Sequence, residues 1–475
     1  MITVIEFIFI IYLLVLARGL YLALIDKASP HRTIAWIIAM IFIPVGGLFL
    51  YYILGQNPGK EKLFSEKRKR DVRQFKIFKQ QHQQDNHSNP IVRQQGKLIN
   101  FLSEKGNGLL TDANQVKILS DGKETFQSIF EALAKAQRFI HMEYYIFEEG
   151  KLAEELIRLL GKKVRQGVKV RIIYDGVGSW ELSDKYLEKI KSLGIHIQPF
   201  MPVRFGYIAN KINYRNHRKI IVVDNKIGFI GGINVSDNYL FGDPILGNWR
   251  DTHLRLEGSA VSSLNHIFNS DWQFVSEEKI NSETNVDWSS RDANLAVQII
   301  TSGPDCDYPN IKQAYFSLIS SAQNYVYITT PYFIPGKPIL FALKTAAMSG
   351  VKVKLLLPKE SDSKILKWSI RSYLEELLDS DVQIYFYEKG FVHSKIIIVD
   401  DSVSSIGTAN VDERSFDNNF EVNAMIYDKD VALELKEQFY KDLEHSQQLE
   451  INTFKKRPLA EKLHEATARL FSPLL

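Results

Sequence analysis

The chain has 475 residues, of which 45% are hydrophobic and 24% are charged. This composition is that of a globular protein with room for two or three domains and a large core. The net charge is +4, but residues 60–79 alone carry nine basic and three acidic side chains, which leaves the rest at −2. A general nucleic-acid-binding protein would carry its positive charge more evenly along the chain. The chain has a single cysteine, Cys306, which excludes an intrachain disulfide framework and a multi-cysteine metal site.

Two apolar runs open the chain and predict two transmembrane helices. Ile2–Ile25 is interrupted by Glu6 and Arg18, and Thr33–Leu54 contains no charged residue. Each run is about long enough to cross a hydrocarbon core of roughly 30 Å. A signal peptide is the weaker reading, because no basic segment precedes the first run and a second run follows almost at once. We therefore predict a two-helix anchor over residues 1–55.

Three details of this anchor carry further expectations. Arg18 is costly in lipid, so we expect it to face the partner helix or to extend toward the headgroups. The sequence PVGG at 44–47 predicts a kink or a close helix contact. The linker Asp26–Arg32 has two basic residues, whereas nine follow the second run, so the positive-inside rule predicts cytoplasmic termini and a cytoplasmic body.

Residues 56–115 are first basic and then rich in glutamine, with no run typical of a strand. We interpret them as a solvated helical or partly disordered connector. Four apolar side chains lie among the basic residues, at Phe64, Phe75, Ile77 and Phe78. A helix at the membrane interface is therefore the alternative.

From residue 116 onward, short apolar runs alternate with helical patterns, which predicts an α/β fold with a largely buried sheet. The second half of this region repeats the first. AQRFIHMEYYIF at 136–147 resembles AQNYVYITTPYF at 322–333, and GVKVRIIYD at 167–175 resembles GVKVKLLLP at 350–358. We predict two homologous α/β halves, residues 116–292 and 293–450, packed as a pseudo-dimer about a pseudo-twofold axis.

The final segment, 451–475, predicts an amphipathic helix, because apolar residues recur at helical spacing among basic ones. These apolar residues are Leu459, Leu463, Ala466, Leu470 and Phe471. The helix is expected either to pack on the body of the protein or to lie at the membrane surface.

One phrase occurs once in each half, as NHRKIIVVDNKIGFIGGIN at 216–234 and as VHSKIIIVDDSVSSIGTAN at 392–410. In both copies Lys follows His by two residues, Asp follows by seven and Asn by seventeen. Motif matches carry a false-positive risk, but two copies in the same order are far less probable by accident than one. The shared residues are His217, Lys219, Asp224 and Asn234, then His393, Lys395, Asp400 and Asn410.

These residue types indicate phosphate chemistry. On a strand, residues two apart share a face, so each His lies beside its Lys. Two Lys and two Asn form an anion site, and two His can divide nucleophilic attack from protonation of the leaving oxygen. Each His also needs an acceptor at Nδ1, for which Asp251 and Glu421 are candidates. A metal site is the alternative, but a Lys two residues from each His would repel a cation.

The paired HxKxxxxD motifs resemble those of the phospholipase D superfamily. The flanking sequences HRTIAW, WRDTHLRLEG and RPLAEKLHEATARLFSPLL most resemble the bacterial cardiolipin synthases within it. The resemblance implies a nucleophile and acid/base pair of histidines, phosphate-holding lysines and asparagines, and motif aspartates with a mainly structural role. These are His217 and His393, Lys219 and Lys395, Asn234 and Asn410, and Asp224 and Asp400.

Four further positions match the superfamily pattern unevenly. Thr408 fits the hydroxyl position after the motif glycine, whereas Gly232 does not. Glu421 matches the acid that usually orients the histidine, whereas Asp251 has a different spacing. A contact at residue 232 and the role of Asp251 are therefore the less secure parts of the predicted site.

The resemblance also implies an activity, namely transfer of a phosphatidyl group from one phosphatidylglycerol to another through a phosphatidyl-histidine. The products would be cardiolipin and glycerol, formed without metal or cofactor at the inner face of the cytoplasmic membrane. The expected partners are phosphatidylglycerol and anionic membrane lipids, not nucleic acid, and a homo-oligomer is left open. The alternatives are a membrane-anchored phospholipase D that uses water as acceptor and, further away, a phosphodiesterase or nuclease. The acceptor, the acyl-chain preference and the attacking histidine are not fixed by the sequence, although analogy favours His217 as nucleophile.

Overall fold

The structure is a computed structural model that describes residues 4–25, 30–51, 58–82, 89–202, 213–280, 294–470 and 472. Within those residues the strands, numbered β1 to β19 in chain order, are Leu110–Leu119, Phe139–Tyr144, Lys169–Asp175, His196–Phe200, Ile220–Val223, Ile227–Gly231, Trp249–Arg250, His253–Gly258, Leu295–Ser302, Tyr325–Thr329, Phe333–Ile334, Lys352–Pro358, Gln383–Tyr387, Phe391–Val392, Ile396–Val399, Val403–Gly407, Val411–Asp412, Glu421–Tyr427 and Ser446–Gln448.

The helices are named here by their residue ranges. They are Val4–Ile25, Pro30–Phe42, Pro44–Leu50, Pro58–His82, Pro90–Gln94, Gly96–Lys105, Gly122–Ala134, Lys151–Arg165, Asp184–Ser192, Asn238–Phe241, Ala260–Ser276, Asn310–Ser321, Gly336–Met348, Lys364–Leu378, Glu413–Asp417, Lys429–Leu443, Ile451–Lys455 and Leu459–Leu470.

Fifteen strands form one continuous sheet, in the order β19-β13-β12-β10-β15-β16-β18-β9-β1-β8-β6-β5-β2-β3-β4. At its centre β1 and β9 pair antiparallel. Moving outward, β8-β6-β5-β2-β3-β4 on one side corresponds to β18-β16-β15-β10-β12-β13 on the other, and β19 is added at the second edge. This symmetric order confirms the mixed α/β fold and the internal repeat that the sequence predicts.

Within each half the outer three strands are parallel, β2-β3-β4 and β10-β12-β13. Parallel neighbours need crossover connections, which are supplied here mainly by helices. The apolar runs of β5 and β15 are buried along their whole length. One core cluster includes Ile220 and Leu254 of the first half with Ile398 and Val422 of the second, so the halves share a core.

Among the described residues of the N-terminal region, one helix is long and apolar enough to span a membrane, Glu6–Ile25. The second apolar run forms a shorter helix that stops before Pro44 and restarts as Pro44–Leu50. Proline disfavours helical geometry in the residue before it, which explains the break. A Cβ at Gly47 would lie 2.1 Å from the carbonyl oxygen of Ala39, so this turn requires glycine. The kink predicted from PVGG is therefore confirmed.

Two other expectations for the anchor have different outcomes. The side chain of Arg18 is exposed, so it does not lie between the packed helices, which bury Ala23 and Met40 instead. The linker between the two runs, whose few basic residues entered the prediction of orientation, lies mostly at 26–29, outside the described residues.

The connector differs from the solvated segment that we expected. Pro58–His82 is a 25-residue helix whose aromatic side chains are buried against the body of the protein. The ring of Phe64, 1% exposed, lies 5.5 Å from the ring of Tyr214 and 5.3 Å from that of Phe420. Burial of these rings outweighs the basic composition of the segment, and the helix docks on the protein.

The predicted domain boundaries shift or fall outside the described residues. Val92, Leu98 and Leu102 pack into the core of the second half, and β1 begins at Leu110, inside the predicted connector. The boundary at 292/293 lies among residues 281–293, which are outside the described residues.

The C-terminal helix Leu459–Leu470 packs on the Lys364–Leu378 helix, which is one of its two predicted positions. Its contacts are polar, with Arg371 and Arg457 both ion-paired to the buried Glu465. The apolar residues point outward instead, at 82% exposure for Leu459 and 66% for Leu463. Phe471 lies outside the described residues.

Candidate active site

Each motif histidine stands just before a central strand and is held by backbone contacts to the other half. The His217 N–H donates to the Phe420 carbonyl at 2.9 Å, and the His393 N–H donates to the Arg250 carbonyl at 2.7 Å. The short strands β7 and β14 pair in parallel immediately before Asp251 and His393. The two motifs are therefore brought together by reciprocal contacts between the halves.

The two acids complete this reciprocity. His217 Nδ1 donates to Glu421, 2.9 Å from Oε1, and His393 Nδ1 donates to Asp251 Oδ2 at 2.7 Å. Each histidine therefore has an acid from the opposite half, and both acids are fully buried. A carboxylate at Nδ1 fixes the tautomer and leaves Nε2 available for chemistry.

Each lysine lies against its own motif. Lys219 Nζ donates to the His217 carbonyl at 2.8 Å and lies 5.4 Å from the centre of the Tyr145 ring. Lys395 Nζ lies against the ring of His393, 2.9 Å from Nδ1 and 3.1 Å from Nε2. Two buried ammonium groups beside two imidazoles make a site suited to a phosphate anion.

Burial controls the protonation of the four basic groups. It lowers the pKa of His217 to about 4 and that of His393 to about 3, although each acid partner acts in the opposite direction. Burial also lowers the pKa of Lys219 to about 7 and that of Lys395 to about 8. Both imidazoles are thus neutral at pH 7, the form in which a histidine can attack phosphorus.

Both acids stay ionised in spite of their burial. Desolvation raises the pKa of Asp251, but Lys395 and the hydrogen bond from His393 outweigh it and lower the pKa. Desolvation likewise raises the pKa of Glu421, and the neighbouring His217 and Lys219 reverse the shift. A buried carboxylate at each Nδ1 will stabilise an imidazolium whenever one forms.

The positions after the motif glycine differ between the halves for a steric reason. The Thr408 hydroxyl donates to Glu421 Oε2 and accepts from the Val422 N–H at 2.9 Å. At Gly232, a Cβ would lie 2.2 Å from Asp251 Oδ1. The first half therefore lacks a hydroxyl because the shorter acid occupies the space that a side chain would need.

Both motif asparagines are buried. Asn234 Oδ1 accepts from the Ile146 N–H at 3.2 Å, and its Nδ2 donates to the Tyr239 hydroxyl at 3.2 Å. The Oδ1 atom of Asn410 is buried without a hydrogen-bond partner among the described residues. Such an atom is costly unless a ligand satisfies it.

The motif aspartates lie at the opposite ends of β5 and β15 from the histidines. The Asp224 carboxylate accepts three backbone N–H groups, from Gln137, Arg138 and Phe139, at 2.7–2.8 Å. Asp400 does the same for residues 323–325 in the second half. Their carboxylates fasten the turn after each central strand to the strand beside it, which supports a structural role.

Sequence reasoning missed the aromatic side chains around the histidines. The Tyr145 ring lies 4.8 Å from that of His217, and the Trp249 ring lies 5.3 Å from that of His393. The Tyr239 hydroxyl is 3.2 Å from His393 Nδ1, and the Tyr332 ring lies 6.5 Å from the His393 ring. The repeated aromatic residues after β2 and β10 were the available signal.

Among the residues that the structure describes, no cluster of three or more His, Cys, Asp or Glu side chains is placed to hold a metal ion. The cationic groups beside the histidines are the two lysines.

Comparison with known proteins bears on the same residues. The family described as "Cardiolipin synthase, PLD-like domain" matches residues 129–272 and 315–443. The chain belongs to this family. A second family, "Phospholipase_D-nuclease N-terminal", matches residues 7–56.

Curated relatives agree along nearly the whole chain. A protein named cardiolipin synthase from Geobacillus sp. (strain WCH70) is 42% identical over 453 residues, covering 95% of this chain and 90% of the relative. Cardiolipin synthase 2 of Bacillus anthracis is 42% identical, with 95% and 88% covered. Membership of this cardiolipin synthase family makes the protein a phosphatidyltransferase of phospholipid biosynthesis that associates with membranes.

A solved structure shows the same fold at low identity. The phosphatidylserine synthase of Haemophilus influenzae Rd KW20 superposes with a TM-score of 0.59 and 14% identity, covering 80% of this chain and all of that one. This likeness concerns the fold alone.

Proposed function

We propose that the protein transfers a phosphatidyl group from one phosphatidylglycerol to a second, giving cardiolipin and glycerol. The observation that carries the proposal is the reciprocal pairing, in which His217 binds Glu421 and His393 binds Asp251 across the two halves. A two-step transfer needs a nucleophile and a separate acid/base group at one phosphate, and this arrangement supplies both.

In the first step, Nε2 of one histidine attacks phosphorus while the other histidine donates a proton to the glycerol oxygen that leaves. A nitrogen–phosphorus bond forms and a phosphorus–oxygen bond breaks. Following the superfamily resemblance, we assign attack to His217 and proton transfer to His393. The anionic substrate raises the pKa of His393 between the two lysines and so provides the imidazolium that this step needs.

In the second step, a hydroxyl of another phosphatidylglycerol attacks the phosphatidyl-histidine. His393, now neutral, accepts the hydroxyl proton, the nitrogen–phosphorus bond breaks, and His217 is regenerated. Lys219 and Lys395 neutralise the phosphoryl oxygens in both steps, and the Nδ2 groups of Asn234 and Asn410 donate hydrogen bonds to them. We assign Thr408 to the orientation of Glu421 and Asp224 and Asp400 to the scaffold.

For the membrane arrangement, we propose that both apolar segments cross the bilayer as a hairpin, with the catalytic halves in the cytoplasm. The two segments pack together through Leu20, Ala23, Met40 and Leu48. The basic residues 60–79 follow directly, as the positive-inside rule requires of a cytoplasmic flank. A reporter fused after residue 475 should be active only as a cytoplasmic marker, and efficient activity of an exported reporter contradicts the arrangement.

The activity is tested by incubating the purified full chain with phosphatidylglycerol vesicles and analysing the lipids. We expect cardiolipin and glycerol in equal amounts. Phosphatidic acid as the main product would show that water is the acceptor. No change in the lipid would contradict phosphatidyl transfer from this donor.

A further inference from the structure

We propose that Lys67, in the Pro58–His82 helix after the membrane anchor, is a positioning residue for the His217–Glu421 pair. The catalytic centre would then be complete only when this helix is docked. The inference rests on the proposed function, because it concerns the histidine that we assign as nucleophile.

Lys67 is buried at 3% exposure, in a helix whose composition suggests a solvated surface. Its Nζ lies 2.6 Å from Asp71, 3.0 Å from Asp271 and 2.6 Å from Asp305. Asp71 belongs to the same helix, Asp271 to the first half and Asp305 to the second. One ammonium group therefore joins the helix to both halves.

The path from Lys67 to the histidine is short. Asp271 is also ion-paired with Arg218, the residue that directly follows His217. Arg218 Nε in turn donates to the Glu421 carbonyl at 3.4 Å. Lys67 thus reaches both members of the His217–Glu421 pair through one buried carboxylate and one guanidinium.

Phe420 provides a second link at the same place. The Lys67 ammonium and the Arg218 guanidinium each lie 5.4 Å from the centre of its ring. The Phe420 carbonyl accepts the His217 N–H at 2.9 Å. A shift of this ring therefore moves the backbone that holds the histidine.

Charge balance explains why this lysine cannot be replaced without consequence. Desolvation lowers the pKa of Lys67, but Asp271, Asp305 and Asp71 outweigh it, so the group stays charged. Removing one partner of a buried ion pair leaves an uncompensated charge, which is strongly unfavourable. Asp271 would then change its contact with Arg218, and a displacement of about 1 Å at a reacting group can cost on the order of 100-fold in rate.

A merely structural lysine would behave differently from a positioning one, and single-turnover kinetics separates them. With a p-nitrophenyl phosphodiester, whose leaving group needs no protonation, formation of the phosphoryl-histidine reports on His217. Loss of folded protein lowers the amount of adduct per chain at an unchanged rate constant. Mispositioning lowers the rate constant and leaves the final amount unchanged.

The test compares Lys67→Met with Lys69→Met in the full-length protein. Lys69 is the matched control, because it is two residues away, mostly exposed, and paired only with Glu66 at 3.1 Å among the contacts described. We expect Lys67→Met to lower the rate constant of adduct formation at least 10-fold, roughly within the range set by misplacement of a reacting group. Lys69→Met should match the unmodified protein in both rate and amount.

If Lys67→Met does not accumulate, the double variant Lys67→Met/Asp305→Asn has one buried carboxylate fewer and should show the same loss of rate. An unchanged rate constant in a folded variant, or a lower amount of adduct at the same rate, overturns the positioning role. Absence of adduct in the unmodified protein would instead contradict the proposed phosphoryl-histidine mechanism.

Discussion

The two halves of the candidate active site hold their histidines in the same way but with different residues. In one, Glu421 reaches His217 and is itself held by Thr408. In the other, the shorter Asp251 reaches His393, and Gly232 leaves room for it. The comparison shows that a carboxylate at Nδ1 is retained while the residues that deliver it are free to change.

The surroundings of the two histidines are less alike. His217 lies against the ring of Tyr145, whereas His393 is enclosed by the rings of Trp249, Phe391 and Tyr332 and by the Tyr239 hydroxyl. Burial lowers the pKa of both histidines, and the neighbouring Lys395 adds to this effect at His393. This asymmetry is consistent with different tasks for two groups that descend from one repeat.

Replacing either histidine should have the largest effect. His217→Ala and His393→Ala should each lower cardiolipin formation about 10⁴-fold or more, because a nucleophile and its acid act as a unit. The measurement is the initial rate on phosphatidylglycerol vesicles, with circular dichroism to confirm folding. Full turnover in either variant would show that the two motifs do not form one site.

Changing the acids should have the next largest effect and tests their equivalence. Glu421→Gln and Asp251→Asn keep the shape of the side chain but lose the charge that fixes each tautomer. Removal of such a charge in a histidine–carboxylate pair lowers kcat about 10⁴-fold. Comparable losses in the two variants support the equivalence, whereas an Asp251→Asn enzyme close to full activity would break it.

A smaller effect is expected at the positions where the halves differ. Gly232→Ala places a methyl group against Asp251 and should lower kcat more than Thr408→Ala, which removes the hydrogen bonds of one hydroxyl to Glu421 and to the Val422 N–H. The bond to Glu421 is worth about 1.5–3 kcal/mol because its acceptor is charged, or roughly 10- to 100-fold in rate. The reverse order of the two effects would contradict the steric account of Gly232.

The pH dependence should be milder, at about 10-fold per pH unit outside the optimum. Burial lowers the pKa of His217 to about 4, so below pH 4 the imidazole is protonated and cannot attack. Burial also lowers the pKa of Lys219 to about 7, so above pH 7 the ammonium that binds phosphate loses its proton. For a p-nitrophenyl phosphodiester, kcat/KM should therefore rise through the first value and fall through the second. A profile flat from pH 3 to 9 would show that neither group titrates as described.

Much of the fold could be predicted from the sequence because each repeated element is a short stretch that can be recognised by itself. The two motifs, the β2-like and β10-like strands and the α/β alternation are all visible as short patterns. The pairing of His217 with Glu421 and of His393 with Asp251 is not visible in this way. The paired residues are 204 and 142 positions apart in the sequence, and they meet only because the two halves pack together.

Two features of the structure escaped prediction for a related reason. The basic residues around Phe64 suggested a solvated or interfacial segment, but the carboxylates that bury Lys67 come from Asp271 and Asp305, far along the chain. The apolar spacing of the C-terminal helix was visible, but its packing through Glu465 was not, because the arginines that bind this acid include Arg371 on another helix. The composition of a segment therefore does not show whether its charged face is solvated or buried, because that depends on partners from distant parts of the chain.

The most direct test of the account is to locate the covalent intermediate. The His393→Ala variant is incubated with a p-nitrophenyl phosphodiester, quenched, and digested under alkaline conditions that preserve a phosphoramidate. Mass spectrometry should place the phosphoryl group on His217, and His217→Ala should give no adduct. A group found on His393 in the unmodified protein, with none on His217, would reverse the assignment and contradict the division of tasks between the two halves.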